Sequence, residues 1–512
     1  MQAAANNIVA AFLDAAARNP DGVALMQDGE AMTYGELRAA VENTAARLQV
    51  RGIVQGDRVL LFVPMSLALY RTVLALFYIG ACPVFLDEWV SIARLKACLE
   101  VAPCKALIAQ RGFLLLSWFV GPTRRIPLRI AASAGPERAA ANYVPACAMV
   151  GSEDTALVTF TTGSTGTPKA ADRTHAYLYA QLAALRPLLS GVASPCMTLL
   201  PIVVLLHLAE GKTAVLPPKK FKAKKAGTYP LLAAAIAKAK PCALIASPAI
   251  LDRLIAAAGQ GSDLSQIASV ITGGGPVYPH LAQRMAKAFP GAAITAVYGS
   301  TEAEPIAHIS ATEVAETTLE MMLAKGLPLG MPDDIAKVAI LDMHASSADI
   351  VNEETLTARL MPAGAPGEII VAGPHVLRHY INNPEAERET KLRVGNKLWH
   401  RTGDCGVLDA DGRLYLRGRC KEGIEWNGQR HDPTIVAYAL RELAGVTEAF
   451  LLTVAGRPML VLERTDMKTN IAPALERLNL AGIGMRYVDK LPKDPRHQTK
   501  VDVEKLRQIL GR

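Results

Sequence analysis

Apolar and polar positions follow two different periods along this chain, and the switches between them mark out its parts. Over residues 1 to about 55 the apolar residues recur at helical spacing in two stretches separated by a short hairpin. The second stretch opens with Thr33-Tyr34-Gly35-Glu36-Leu37, where Thr33 suits an N-cap and Glu36 completes a capping box. Residues 59–85 are the most apolar in the chain, but Pro64, Arg71, Gly80 and Pro83 interrupt them. A membrane span needs about 20 uninterrupted apolar residues. The run therefore predicts a strand (59–63), a helix (67–79) and a strand (83–86), a βαβ unit of a soluble core. Asp87-Glu88-Trp89 closes that unit, and 92–99 is helical.

Residues 113–150 show no clear period and predict an irregular stretch. A helix over 174–188 and a buried strand over 197–201 follow. The apolar run 203–208 ends in His207, Glu210 and Gly211, and a further strand covers 214–216. Strand and helix then alternate (242–246, 248–258, 269–272, 280–289, 295–298), the rhythm of a mostly parallel sheet. From about Gly326 short strands and turns take over (336–342, 367–372, 412–416), which predicts a β-rich subdomain. The residues from about Arg419 onward predict a small α+β unit with its own hairpin over 445–463.

Composition narrows the class. The chain has 512 residues, 51% of them hydrophobic and 20% charged, which fits a folded protein of two or more domains. The net charge of +8 favours anionic partners. No zinc-finger spacing or aromatic-basic repeat points to nucleic acid. Eight cysteines lie scattered without a C-x-x-C pair and read as reduced, mostly buried thiols of a cytoplasmic protein. The N-terminal stretch has an acidic residue within its apolar part and no basic leader, so it predicts a helix rather than a signal peptide.

The chemistry centres on Thr159-Phe160-Thr161-Thr162-Gly163-Ser164-Thr165-Gly166-Thr167-Pro168-Lys169, which follows the β-prone run Thr155-Ala156-Leu157-Val158. Glycines let backbone N–H groups turn inward, hydroxyls add donors, and Lys169 supplies a cation, so the loop suits a polyanion. Walker A spacing is absent, because Lys169 follows a Pro and the two glycines stand three apart. Three more stretches follow: Ile271-Thr272-Gly273-Gly274-Gly275-Pro276, Tyr298-Gly299-Ser300-Thr301-Glu302, and His400-Arg401-Thr402-Gly403-Asp404 with Gly418-Arg419 beyond it. Exposed backbone at glycines can lie flat against a purine, and a carboxylate can hold Mg²⁺ or accept from both hydroxyls of a diol.

Together these stretches resemble the adenylate-forming superfamily of acyl-CoA synthetases, peptide-synthetase adenylation domains and luciferases. The resemblance implies that Thr161, Thr162, Gly163, Ser164, Thr165, Gly166 and Lys169 bind the ATP phosphates. It implies that Gly273, Gly274, Gly275, Tyr298 and Gly299 meet adenine, that Thr301 reaches the α-phosphate and that Glu302 holds Mg²⁺. Asp404 and Arg419 would hold the ribose. Leu491-Pro492-Lys493-Asp494-Pro495-Arg496-His497-Gln498-Thr499-Lys500 resembles the family's C-terminal motif, with Thr499 where a Gly is usual, and makes Lys500 the adenylation lysine. The implied architecture is α/β. A large N-terminal domain over 1–419 has mostly parallel sheets flanked by helices plus the β-rich subdomain. A small mobile C-terminal α+β domain over 420–512 pivots at Glu422.

Shorter words, above all Asp494-Pro495-Arg496-His497-Gln498-Thr499-Lys500, resemble the branch holding the β-lactone synthetases of bacterial olefin biosynthesis and neighbouring fatty-acid ligases. That branch implies a small-molecule carboxylic acid, ATP and Mg²⁺, with CoA, an acyl carrier protein or a substrate hydroxyl as second nucleophile. The alternative is a nucleotide- or acyl-binding member without catalysis. The acyl pocket is expected near 205–208, 273–276 and Ile306, with no Asp aimed at an amino group. His207 either faces the substrate as a catalytic residue or belongs to the core or second layer. Five lysines within 219–225 suit an anionic partner or a solvated mobile loop. His375 and His379, four apart, read as surface residues.

Overall fold

The computed structural model describes residues 6–86, 91–132, 145–162, 168–259, 264–464, 466, 470–493 and 501–511, and only the backbone of Thr162. Two sheets carry the larger part of the molecule. The first has six strands in the order Leu128–Ala131, Ala106–Ala109, Arg58–Phe62, Cys82–Phe85, Thr155–Thr162 and Pro168–Thr174. Its members pair in parallel until the last, where Pro168–Thr174 turns back antiparallel on Thr155–Thr162.

The expected βαβ unit is present: strands Arg58–Phe62 and Cys82–Phe85 flank helix Leu67–Tyr78. That helix is buried from Leu69 to Tyr78 because the helices Val9–Arg18 and Tyr34–Val50 cover it on the outside. This burial explains its apolar sequence, and no helix among the described residues is long and apolar enough to cross a membrane. Thr33 caps Tyr34–Val50 with the full capping box that its spacing predicts.

The second sheet has 14 strands among the described residues. Ala214–Val215, Cys196–Thr198, Ala243–Ala246, Ser269–Gly273 and Ala293–Ser300 form its parallel half. Ala303–Ser310 then pairs antiparallel with both Ala293–Ser300 and Leu327–Pro332, so the β-rich part is not a detached sheet but a continuation of the parallel one. The strands Lys397–Leu408 and Leu414–Arg419 lie in that continuation.

Two stretches differ from expectation. Within 113–150 the chain forms helix Arg111–Ser117 and the parallel edge strand Leu128–Ala131. The strand is short and only half-buried, so little apolar alternation marks it. The apolar run after Met197 is the helix Pro201–Ala209 with Pro201 in its first turn. A fully apolar run has no period to distinguish helix from strand, and only Pro201 hinted at a helix start.

After Arg419 the chain leaves the large sheet through a single 3₁₀ turn, Cys420–Glu422. Helix Pro433–Arg441 packs on the sheet formed by Val446–Val454, Arg457–Arg464 and Gly484–Val488, with a separate apolar core. Arg417 binds Asp432 through Nε at 2.7 Å, and Tyr278 stacks on Tyr438, so this unit is docked against the large one.

Candidate active site

The hairpin that carries the Thr/Gly run sets Thr161 opposite Lys169, and both side chains are buried. Its turn, with Gly163, Ser164, Thr165 and Gly166, lies outside the described residues, as does Lys500. Segment 376–381 is wedged between this hairpin and strand Ala303–Ser310. On one side Ile381 N donates to Ala170 O at 2.9 Å. On the other Leu377 N donates to Glu302 O at 2.7 Å. The wedge places Tyr380 between the two motifs, where its hydroxyl donates to Glu302 Oε1 at 2.9 Å. Thr161 Oγ1 donates to the same oxygen at 3.4 Å.

Sequence reasoning missed three residues here: Tyr380, Lys391 and His400. Each lines the cavity beside Glu302. Burial pushes Lys391 down to about 7 and His400 down to about 3. Burial alone would raise the Glu302 carboxyl, but His400, Lys391 and the Tyr380 hydroxyl outweigh it and hold the group below its usual range. The Tyr380 hydroxyl is pushed up by burial and then by Glu302, so it remains a proton donor. The only early signal for His400 was its place directly before Arg401; nothing local marked Tyr380 or Lys391.

The nucleoside side is built from strand ends. Gly273 closes strand Ser269–Gly273, and a Cβ there would stand 2.9 Å from Val297 O of the next strand. Gly274 has φ +80°, a conformation that favours glycine. Tyr298 donates its hydroxyl to Asp404 Oδ2 at 2.7 Å, while Arg419 Nη1 reaches Asp404 Oδ1 at 3.0 Å. Asp404 and Arg419 meet because their strands place them directly opposite. Each carboxylate oxygen keeps a second lone pair for a hydroxyl. Gly275, Gly299 and Thr301 line the same cavity, and Thr301 O accepts from the Tyr177 hydroxyl at 2.9 Å.

Glu368 braces this arrangement. It accepts from Arg401 Nε at 2.8 Å and from Gly403 N at 3.0 Å. Both side chains are largely shielded, and removing one partner of a buried ion pair costs about 3 kcal/mol or more. Glu368→Ala is therefore expected to lower the Tm in thermal unfolding, and an unchanged Tm would remove this residue from the account.

The cavity is a cleft of about 2870 Å³, open to solvent on one side, between the large unit and the small one, which contributes Glu448, Phe450, Lys493 and Val501 to its wall. A drug-sized pocket takes roughly 300–1,000 Å³, so a nucleotide and an acyl group fit together. Ile202, Leu205 and residues 273–276 form part of its apolar wall, as expected in part. Ile306, Leu206 and Leu208 are instead buried in the core. His207 is completely buried and does not line the cavity, so of its two readings the structure supports the core one. Burial pushes its imidazole down to about 4. His375 is not a surface residue either; it is fully buried, whereas His379 is exposed and faces Glu387.

Lys219, Lys222, Lys224 and Lys225 border the cavity, and the loop is tied down rather than free. Lys219 N donates to Asp28 Oδ2 at 3.1 Å, and Lys222 N to Thr228 Oγ1 at 3.1 Å. Among the described residues no disulfide joins the eight cysteines, four of which are buried and none exposed.

Known proteins share both the sequence and the fold. An olefin β-lactone synthetase of Stenotrophomonas maltophilia (strain K279a) is 29% identical, over 98% of this chain and 97% of its own. A feruloyl-CoA synthase of an Amycolatopsis species is 29% identical, over 84% of this chain and 82% of its own. The solved structure of an amide bond synthetase from Marinactinospora thermotolerans superposes with a TM-score of 0.78 at 22% identity, over 99% of each chain. The model of the family described as AMP-binding enzyme matches residues 12–381, from the first helix through Tyr380. The chain belongs to the AMP-binding enzyme family and is an AMP-forming ligase.

Proposed function

We propose that this protein activates a fatty or 3-hydroxy fatty acid with MgATP as an acyl-adenylate, releasing pyrophosphate. The observation that carries this reading is the convergence on Glu302: the phosphate hairpin through Thr161, and Tyr380 beside it, both bond its carboxylate. Asp404, Arg419 and Tyr298 offer a ribose-sized grip in the same cavity. Glu302 and the Thr161 hydroxyl are hard oxygen donors that suit Mg²⁺, which commonly takes one or two carboxylates plus substrate phosphates. Mg²⁺ held there would neutralise charge developing on the phosphate oxygens. Lys169 faces the polyphosphate, and Lys500 steadies the α-phosphorus during transfer.

The small domain, 420–512, turns about Glu422 after adenylation and admits the second nucleophile. An apolar wall of Ile202, Leu205, Phe62 and Phe113 supports an acyl chain as the acid. A relative named an olefin β-lactone synthetase supports closure by the substrate's own 3-hydroxyl; one named a feruloyl-CoA synthase keeps CoA or a carrier thiol in view. Eight cysteines without a disulfide among the described residues support a cytoplasmic setting.

ATP–pyrophosphate exchange against fatty, 3-hydroxy fatty and aryl acids, without CoA, tests the reading. Exchange with the aliphatic acids is expected. AMP release driven by 3-hydroxy acids alone would support lactone closure. Exchange with no acid would overturn activation in favour of a binding protein that has lost the chemistry.

A further inference from the structure

Lys391 is the first residue of the short strand Lys391–Val394, which pairs with Lys397–Leu408 and so sits against His400 across the ladder. It is buried, lines the cavity, and its Nζ has no hydrogen-bond partner. Glu302 at the same site is bonded by Tyr380 and Thr161, and among the described residues Lys391 forms no ion pair with it. A shielded ammonium without an acceptor is costly, and such a group persists where a ligand completes it.

A second buried cation converges on the same spot. Lys169 Nζ and Lys391 Nζ each lie 5.6 Å from the centre of the Tyr380 ring. Lys169 comes from the phosphate hairpin and Lys391 from the far end of the large sheet, so two distant parts of the chain meet around one aromatic ring. Glu302 and Glu387 both bear on Lys391, and a polyphosphate entering beside the two lysines would supply the hydrogen-bond acceptor that Lys391 lacks.

We propose that Lys391 is a second polyphosphate-binding cation, closing with Lys169 around Tyr380 on the terminal phosphates of ATP and on pyrophosphate. This rests on the nucleotide reading of the cavity. It assigns Lys391 to the leaving end of the substrate and predicts no contact with AMP.

Calorimetric titration of the full chain with MgATP, magnesium pyrophosphate and AMP tests it, comparing wild type with Lys391→Met, Lys391→Gln and Lys391→Arg. Loss of a charge-assisted hydrogen bond corresponds to roughly 10- to 100-fold in affinity. Lys391→Met and Lys391→Gln are expected to weaken MgATP and pyrophosphate by about that factor while AMP stays within about twofold; Lys391→Arg recovers most of the loss. Unchanged pyrophosphate affinity would overturn the proposal, and so would equal weakening of AMP, the mark of a structural role. Should Lys391→Met not fold, Lys391→Gln and Lys391→Arg carry the comparison. Wild type that binds neither ATP nor AMP would overturn the nucleotide reading itself, a result distinct from selective loss in the variants.

Discussion

Replacing Glu302 with glutamine is expected to lower ATP–pyrophosphate exchange by about 10²–10³-fold, the cost of losing one pre-placed charge at a transition state. Glutamine nearly matches the shape and can still accept from the Tyr380 hydroxyl, so the variant isolates charge from packing. The carboxylate stays ionised in a buried corner because Lys391 and the Tyr380 hydroxyl, with His400, outweigh the burial penalty. Its folded value is depressed, so its charge contributes stability above the ordinary carboxylate value of about 4.3 and loses it as pH falls through the lower folded value. Wild type should therefore lose stability as pH falls through that window, and Glu302→Gln, which lacks the ionisation, should flatten that limb of the stability–pH curve. Exchange rates within threefold of wild type, in a variant with the wild-type Tm, would show that no essential metal or phosphate charge is met at Glu302.

Lys500→Ala is the second large effect, expected at about 10²–10³-fold in the adenylation rate with ATP affinity little changed. Lys493 and Val501, which precede and follow the motif's Asp494-to-Lys500 run in sequence, both line the cavity and pair as an isolated bridge. Exchange and equilibrium ATP binding measured side by side separate the two roles. Loss of both together would mean that Lys500 anchors the nucleotide; loss of neither would leave the motif without a catalytic lysine.

Much of the site was readable before any fold, for a physical reason common to its parts. A glycine at a strand end, a hydroxyl run before a lysine, or an Asp after Arg-Thr-Gly act through neighbours a few residues away. Thr33 and Glu36 form their capping box on the same terms. The βαβ unit at 58–85 was likewise legible, because each of its periods lies within one element.

The same residue type met opposite fates where only packing decides. His207 and His375 are both sealed in the core, although one was expected to face substrate or core and the other solvent. Their chain neighbours could not tell, since burial depends on which distant surface covers the helix or loop. The β-rich part was expected as a subdomain; its fusion to the parallel sheet depends on the ladder between Ala303–Ser310 and Leu327–Pro332.

What the sequence determined alone is the set of chemical groups and the order of elements that present them: hydroxyls and a lysine for phosphate, a carboxylate for metal, a carboxylate and an arginine for ribose. What the tertiary structure decided is their electrostatics. Tyr380 reaches Glu302, and Lys391 comes beside the Tyr380 ring, only because segment 376–381 pairs with two strands at once and a late strand folds back beside His400. Charge in a buried corner is set by whichever groups long-range pairing brings within a few ångströms, and no local pattern records that distance.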